Sequence, residues 1–400
     1  MKRRDFLKSS ALASSAFMVP SFLAGFQSNC LLGGQPGKKL VVVQLSGGND
    51  GLNTIVPYRN DLYYQNRPTL ALKDSEVLRV SDDLGFNPAL QSLRELYDEG
   101  LVSILNNVGY PNPDRSHFRS MDIWHTASDS TDYLSTGWIG RYLDTFCDGC
   151  DKPYHALEAD DGLSLALKGR QRNGFAVSDI PQLKRTTDSQ LLKAVGKYGA
   201  SMPHHEEENV AYLYKVLADT QASAGYLQTQ LQTYRSKETY PQTPFGKDLK
   251  QIAELMCADS DVRIYYVSLT GFDTHANQKP QQERLLRQYA DGMKAFVQDL
   301  KRNNLLDETL IMTFSEFGRR VKQNGSGGSD HGAANNLFLL GGSLKKAGFY
   351  NAAPDLSQLD DGDLKFDTDF RQIYATVLSR WLEADAEAIL GQRFAPLAII

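Results

Sequence analysis

The chain has 400 residues, 41% of them hydrophobic and 23% charged, which is the composition of a globular protein with room for a sizeable core. A net charge of -5 argues against a nucleic-acid binder, which would carry a basic face. Beyond the N-terminal segment no apolar run is long enough to span a bilayer, so no integral span is expected in the mature chain.

The chain opens Met1-Lys2-Arg3-Arg4-Asp5-Phe6-Leu7-Lys8, the pattern of a twin-arginine export signal, followed by a mild apolar stretch broken by Pro20. Residues 1–30 are read as that signal and 31–38, with Gly33-Gly34 and Gly37, as a linker. The expected destination is the periplasm or the exterior, by way of the twin-arginine translocase. That route carries folded cargo and favours a protein loaded with a cofactor. Cys30 lacks a convincing lipid-anchor context, and Cys147-Asp148-Gly149-Cys150 is expected to be a small structural disulfide rather than a redox pair.

From residue 39 the pattern alternates between strand and helix. Lys39 to Leu45 is a continuous β-branched run of the kind found in a buried parallel strand. Asn87-Pro88 opens a helix running to Glu99, and Leu101 to Asn106 is a second strand. Ser116 opens a helix to Thr126, and Trp138 to Phe146 is amphipathic. Residues 155–260 are less regular and contain a long polar helix around 206–235; they are expected to form an insertion or cap. Val262 to Val267, Thr309 to Phe314 and Asn336 to Leu340 are strands, Pro280 to Arg302 is a helix, and Asp367 and Asp369 cap another through Trp381. The pattern predicts an α/β fold: a doubly wound, mostly parallel sheet with helices on both faces, over 39–400.

Ligands of such sheets bind beyond the C-terminal ends of the strands, and polar clusters sit there. They are Gly47-Gly48-Asn49-Asp50-Gly51, Asp114-Arg115-Ser116-His117, Gly271-Phe272-Asp273-Thr274-His275 and Ser315-Glu316-Phe317-Gly318-Arg319, with Ser329-Asp330-His331-Gly332 after the last. Carboxylates and imidazoles together suit one or two divalent ions: zinc, manganese, magnesium or calcium. Asp50, Asp273, His275, Glu316 and His331 are the candidate ligands. Ser116, at a helix start, is the candidate nucleophile, with His117 as a ligand or general acid and Arg319 or Arg115 steadying an anion. Each has a plainer reading as a turn former, cap or ion pair; their recurrence at successive strand ends favours a metal site. His125 reads as a packed helix residue.

These segments resemble a family of exported bacterial proteins, DUF1501, a domain of unknown function. The matching stretches are LSGGNDGLNTIVP at 45–57, RSHFRSMDIWHT at 115–126, GWIGRYL at 137–143, GFDTH at 271–275, TFSEFGRR at 313–320, SDHG at 329–332 and FDTDFRQIYATVL at 366–378. The family is in turn remotely similar to the alkaline-phosphatase-like superfamily. That resemblance implies metal-binding roles for Asp50, Asp273 and His331 and a nucleophilic role for Ser116. It departs at three places: His275 comes early, with Asn277 in the later position; Glu316 stands for an aspartate; and Phe317 occupies the place of a histidine ligand. Pro111 begins the segment where a sulfatase would carry an oxidisable Cys or Ser. The implied activity is metal-dependent hydrolysis of a phosphate or sulfate ester, on an anionic small molecule or glycan. The alternative, favoured by Phe317, is a non-catalytic periplasmic or surface binding protein.

Overall fold

The computed structural model describes residues 37–146, 152–200 and 208–400. The export signal, Cys30, the Cys147/Cys150 pair and the His204-His205 stretch lie outside the described residues. Among the described residues, no helix is long and apolar enough to cross a membrane.

A central sheet organises the chain. Its strands are β1 (Lys39–Ser46), β2 (Val102–Gly109), β3 (Ala156–Glu158), β4 (Phe175–Ala176), β5 (Ile264–Thr270), β6 (Thr309–Phe314), β7 (Asn335–Leu340), β8 (Gly348–Phe349) and β9 (Thr368–Asp369). The order across the sheet is β8-β2-β7-β6-β1-β5-β3-β4, with β9 also on β2. β1 runs parallel to both neighbours, Val42 lying between Tyr266 and Met312. The sheet is mostly parallel; β7 is the exception, antiparallel to β6 and β2.

The β-branched run of β1 is explained by burial on both faces. Val41, Val43 and Leu45 point into one core and Leu40 and Val42 into another. Burying each such side chain contributes roughly 1.5–3 kcal/mol. Helices α1 (Gln91–Asp98), α5 (Pro244–Cys257) and α6 (Gln278–Arg302) cover the first face. Helices α2 (His117–Thr126), α3 (Trp138–Phe146) and α7 (Phe370–Thr376) cover the second. The fold is therefore doubly wound. The expected cap on α7 is present: Asp369 accepts from Arg371 N while Gln372 reaches back, and Arg371 pairs with Asp129 and Asp369.

Residues 155–260 are only partly an insertion. β3 joins the sheet beside β5, Leu157 opposite Tyr265, and α5 packs into the core against α6. The helical part is narrower: Ile180–Thr187 and Gln190–Ala200 pack on α4 (Glu208–Thr233), whose Leu227 and Leu231 reach the first core. Composition marked the polar helix but not the strands before it, because three buried residues are too few to show a period.

Candidate metal centre at the strand ends

Two glycines turn the chain sharply after β1. Gly47 has φ 118° and Gly48 φ 69°, in the left-handed region that favours glycine. Neither position has room for a side chain. A Cβ on Gly47 would stand 2.4 Å from Asp273 N, and one on Gly48 2.2 Å from the Phe317 ring. Both glycine carbonyls face Arg319, whose Nη2 donates to Gly47 O at 2.6 Å and Nε to Gly48 O at 2.6 Å. The same guanidinium donates to Ser329 O, Phe272 O and Asp273 Oδ1. Arg319 thus ties the end of β1, the end of β5 and the hairpin Arg319–His331 into one unit.

Three imidazoles converge on Asp273 Oδ1. His331 Nε2 and His275 Nε2 each lie at 3.1 Å and His117 Nε2 at 3.3 Å. His275 Nε2 and His331 Nε2 are 2.9 Å apart. Ligand atoms of His117, Asp273 and His331 all fall within 4.8 Å of one another. The other nitrogen of each ring decides the tautomer. His331 Nδ1 is 2.7 Å from Arg115 O, a carbonyl that can only accept, so Nδ1 carries the proton. His117 Nδ1 faces Glu316 Oε1 at 2.8 Å, and His275 Nδ1 faces Asp330 Oδ1 at 3.3 Å. All three rings, when neutral, therefore turn an Nε2 lone pair toward the same carboxylate. Lone pairs and a carboxylate oxygen repel unless a cation lies among them. His117 Nε2 shows the consequence: it is buried and, despite its distance to Asp273, has no hydrogen-bond partner. A donor set of three imidazole nitrogens and one carboxylate, each ring backed by an oxygen acceptor, fits a transition-metal ion.

Burial works to raise the Asp273 carboxyl, but its contacts with His331 and Arg319 outweigh it and hold the group well below the usual carboxylate range. The Glu316 hydrogen bond raises His117 above its ordinary value, against the effect of burial. Phe317 walls the cluster from one side, its ring centroid 4.8 Å from that of His117 and 4.6 Å from that of His331. The opposite side is open, with the Asp273 side chain 49% exposed.

Residues 103–390 match the model of the family described as Protein of unknown function (DUF1501). The chain belongs to this family. No curated protein matches the sequence. Among solved structures the DUF1501 chain is similar to PsFucS1 sulfatase from Pseudoalteromonas sp., with 10% identity and a TM-score of 0.41, over 90% of this chain and 70% of that one. It is similar to a protein in the alkaline phosphatase superfamily from Vibrio parahaemolyticus, with 10% identity and a TM-score of 0.41, over 90% and 70%. It is also similar to phosphonate monoester hydrolase SpPMH from Silicibacter pomeroyi, with 8% identity and a TM-score of 0.39, over 91% and 76%. A likeness this distant carries nothing about activity.

Of the expected ligands, the fold of this DUF1501 chain brings together Asp273, His275 and His331, with His117, read from sequence as a ligand or general acid, as an equal member. Asp50 is not among them. It is fully buried, and Arg67 Nη1 and Gln278 Nε2 each approach Oδ2 at 2.5 Å while Leu52 N donates to Oδ1. Its charge is already neutralised by a guanidinium. Glu316 stands behind His117, accepting from His117 Nδ1 and from Gly47 N, rather than facing the cluster with a free oxygen. Arg319 was expected to meet an anion; its side chain is closed to solvent and spent on carbonyls and Asp273, so it positions the site instead. Arg115 is held by Asp363. Ser116 does begin α2, exposed, and its hydroxyl makes no capping bond to the helix. It sits between Arg115, whose carbonyl holds His331, and His117. His125 is buried, as expected, against Tyr266. The sequence reading missed Arg67, Gln278 and the Asp330 contact to His275; of these only Asp330, next to His331, lay in a motif already marked.

Proposed function

We propose that this protein holds one divalent ion through His117, Asp273, His275 and His331 and hydrolyses phosphate or sulfate esters there. The observation that supports it is the commitment of all three Nδ1 atoms to oxygen acceptors, leaving three Nε2 atoms turned on one carboxylate oxygen. Three imidazoles favour zinc or a similar transition ion such as manganese over magnesium or calcium, which prefer oxygen-only sets. One ion rather than two follows from Asp50 being taken by Arg67. A divalent ion at this place would supply Lewis acidity to an ester oxygen and favour ionisation of a neighbouring hydroxyl.

The chain's own groups supply the rest. Ser116 presents an uncommitted hydroxyl as nucleophile. The N–H groups of the first turn of α2 have no intrahelical partners and would be available to an anionic ester. Glu316 fixes the plane of His117, and Phe317 keeps water from one side of the rings. From sequence, Phe317 favoured a non-catalytic binding protein; packed on two imidazoles, it is compatible with a working site. The Arg3-Arg4 start supports export to the periplasm through the twin-arginine translocase.

Elemental mass spectrometry of the purified protein tests the reading. About one equivalent of zinc or manganese is expected, lost in an Asp273→Asn/His331→Ala variant that remains folded. The loaded protein should then release phosphate or sulfate from a panel of esters, and Ser116→Ala should not. Absence of bound metal in a folded wild-type protein offered these ions overturns it.

A further inference from the structure

Asp363 carries a carboxylate where the fold gains little stability from one. Its side chain is 2% exposed, in a short hairpin whose strands are Leu359–Asp360 and Asp363–Leu364. Asp361 and Gly362 make the turn, with φ 50° and 83°. Leu364 anchors the hairpin in a third core with Val321, Leu356 and Tyr63, and Val321 N donates to Gly362 O. The hairpin therefore leans on the strand that begins at Arg319. Asp363 Oδ2 accepts from Arg115 Nε at 2.9 Å and from Nη2 at 2.5 Å. Oδ1 is buried without a hydrogen-bond partner; Arg320 Nε, at 3.6 Å, is too far to donate. Burial raises the carboxyl against the pull of Arg115.

A buried carboxylate with one oxygen unmet is a poor stabiliser, because desolvation offsets most of its attraction to a partner that water reaches. What it supplies is position. The three rings of the centre are not held alike. Glu316 touches His117 Nδ1 and Asp330 touches His275 Nδ1, each a side chain acting directly. His331 Nδ1 instead donates to Arg115 O at 2.7 Å, a carbonyl in the loop before α2. A loop carbonyl fixes a ring only if the loop is itself fixed. Asp114, just before it, is tied down by Tyr110 and Ser120. Asp363 grips the guanidinium of Arg115 and holds the next residue. The connection runs from the Asp363 carboxylate to the Arg115 guanidinium, and from the Arg115 carbonyl to the His331 imidazole.

We infer that Asp363 is the positioning residue of His331, fixing the tautomer and plane of that ring through Arg115 without touching it. The consequence for metal binding rests on the function proposed above; the fixing of the ring does not.

The test reads the ring first and the ion second, on the full chain. NMR of isotope-labelled histidines in the metal-free protein, at about pH 9 where an imidazole is neutral, should show His331 protonated on Nδ1. Asp363→Leu and Arg115→Met should each turn that signal into a mixture with the Nε2–H form. Asp363→Asn, whose amide oxygen still accepts from Arg115, should retain the Nδ1–H form. Arg115 is partly exposed, so Arg115→Met should fold even where Asp363→Leu does not. Chelator competition should then show zinc bound about tenfold or more weakly in both. The pair Arg115→Met/Asp363→Leu should be no weaker than either alone, and Asp363→Leu should cost nothing further in a His331→Ala background. A lower urea midpoint with the His331 tautomer unchanged overturns the inference, and so does a loss of zinc affinity that persists in His331→Ala. A wild type that binds no zinc, yet shows His331 fixed on Nδ1 and released by Asp363→Leu, would lose the metal reading and keep the positioning.

Discussion

Glu316 and His117 meet at 2.8 Å at the end of β6, the carboxylate fully buried and the imidazole reaching from it toward Asp273. Glu316 also accepts from Gly47 N, so one side chain fixes both the first glycine turn and the plane of a ring. Glu316→Ala should weaken zinc binding by about 10–100-fold, the usual effect of removing a carboxylate behind a ligating histidine. Glu316→Gln, which still offers an accepting oxygen, should lose less. Competition with a chromophoric chelator measures both. Equal affinity in wild type and Glu316→Ala would remove His117 from the ligand set.

Gly48 is constrained twice, by its positive φ and by the Phe317 ring against its α-carbon. Gly48→Ala should cost about 1–3 kcal/mol from the backbone alone, and more from the clash. Gly48→Ala/Phe317→Ala separates the two: it should regain the part due to the clash and keep the part due to the backbone. Urea unfolding of the three proteins decides, and a double variant no better than the single would show that the ring is not the obstacle.

Arg67 and Asp50 form an ion pair with both side chains closed to solvent. Arg67→Met leaves a buried carboxylate without its partner and should destabilise by about 3–5 kcal/mol. Asp50→Asn/Arg67→Met should recover a substantial part. Metal content should remain at one equivalent in the double variant. A second equivalent appearing once Arg67 is gone would instead make Asp50 a latent ligand.

Two buried groups give opposite pH dependence. Burial lowers His125 from its ordinary value to about 4. The unfolded chain then binds the proton more readily, and stability falls as pH drops from the unfolded value toward 4. Between pH 7.5 and 5 the loss is about 2 kcal/mol. Glu158 works the other way: burial raises it to about 7, so it stabilises at low pH and the gain fades as pH rises through 7. His125→Asn should become relatively more stable at pH 5, and Glu158→Gln relatively less. Parallel profiles in all three proteins would contradict both assignments.

Much of the fold was open to reading. β1, β5 and β6 are buried on both faces, so their sequences are largely apolar runs with polar residues massed where they stop. Asp273, His275 and His331 stood out for that reason. What could not be read was which acid turns which way. Asp50 and Glu316 both follow apolar strands, and only the packed structure shows the first neutralised by Arg67 and the second placed behind His117. Arg67 lies in a polar stretch with no period, and its partner is set by how the 61–72 segment folds back. Arg319 resembled an anion clamp because an exposed and a buried arginine are the same letter. β7 was recognised as a strand but not as the antiparallel one, since direction depends on the hairpin Arg319–His331 that precedes it.

The clamp made by Arg319 has a consequence for assembly. Its acceptors come from segments near residues 47, 272 and 329, and the imidazoles from 117, 275 and 331, so segments from residue 47 to residue 331 must be in register before the cage exists. Loops of that span close late in folding. On the proposed reading an ion would bind a site already built, rather than seed the fold as in small zinc domains. On the proposed metal-binding reading, the identity of the ion would follow the supply in the compartment where folding finishes.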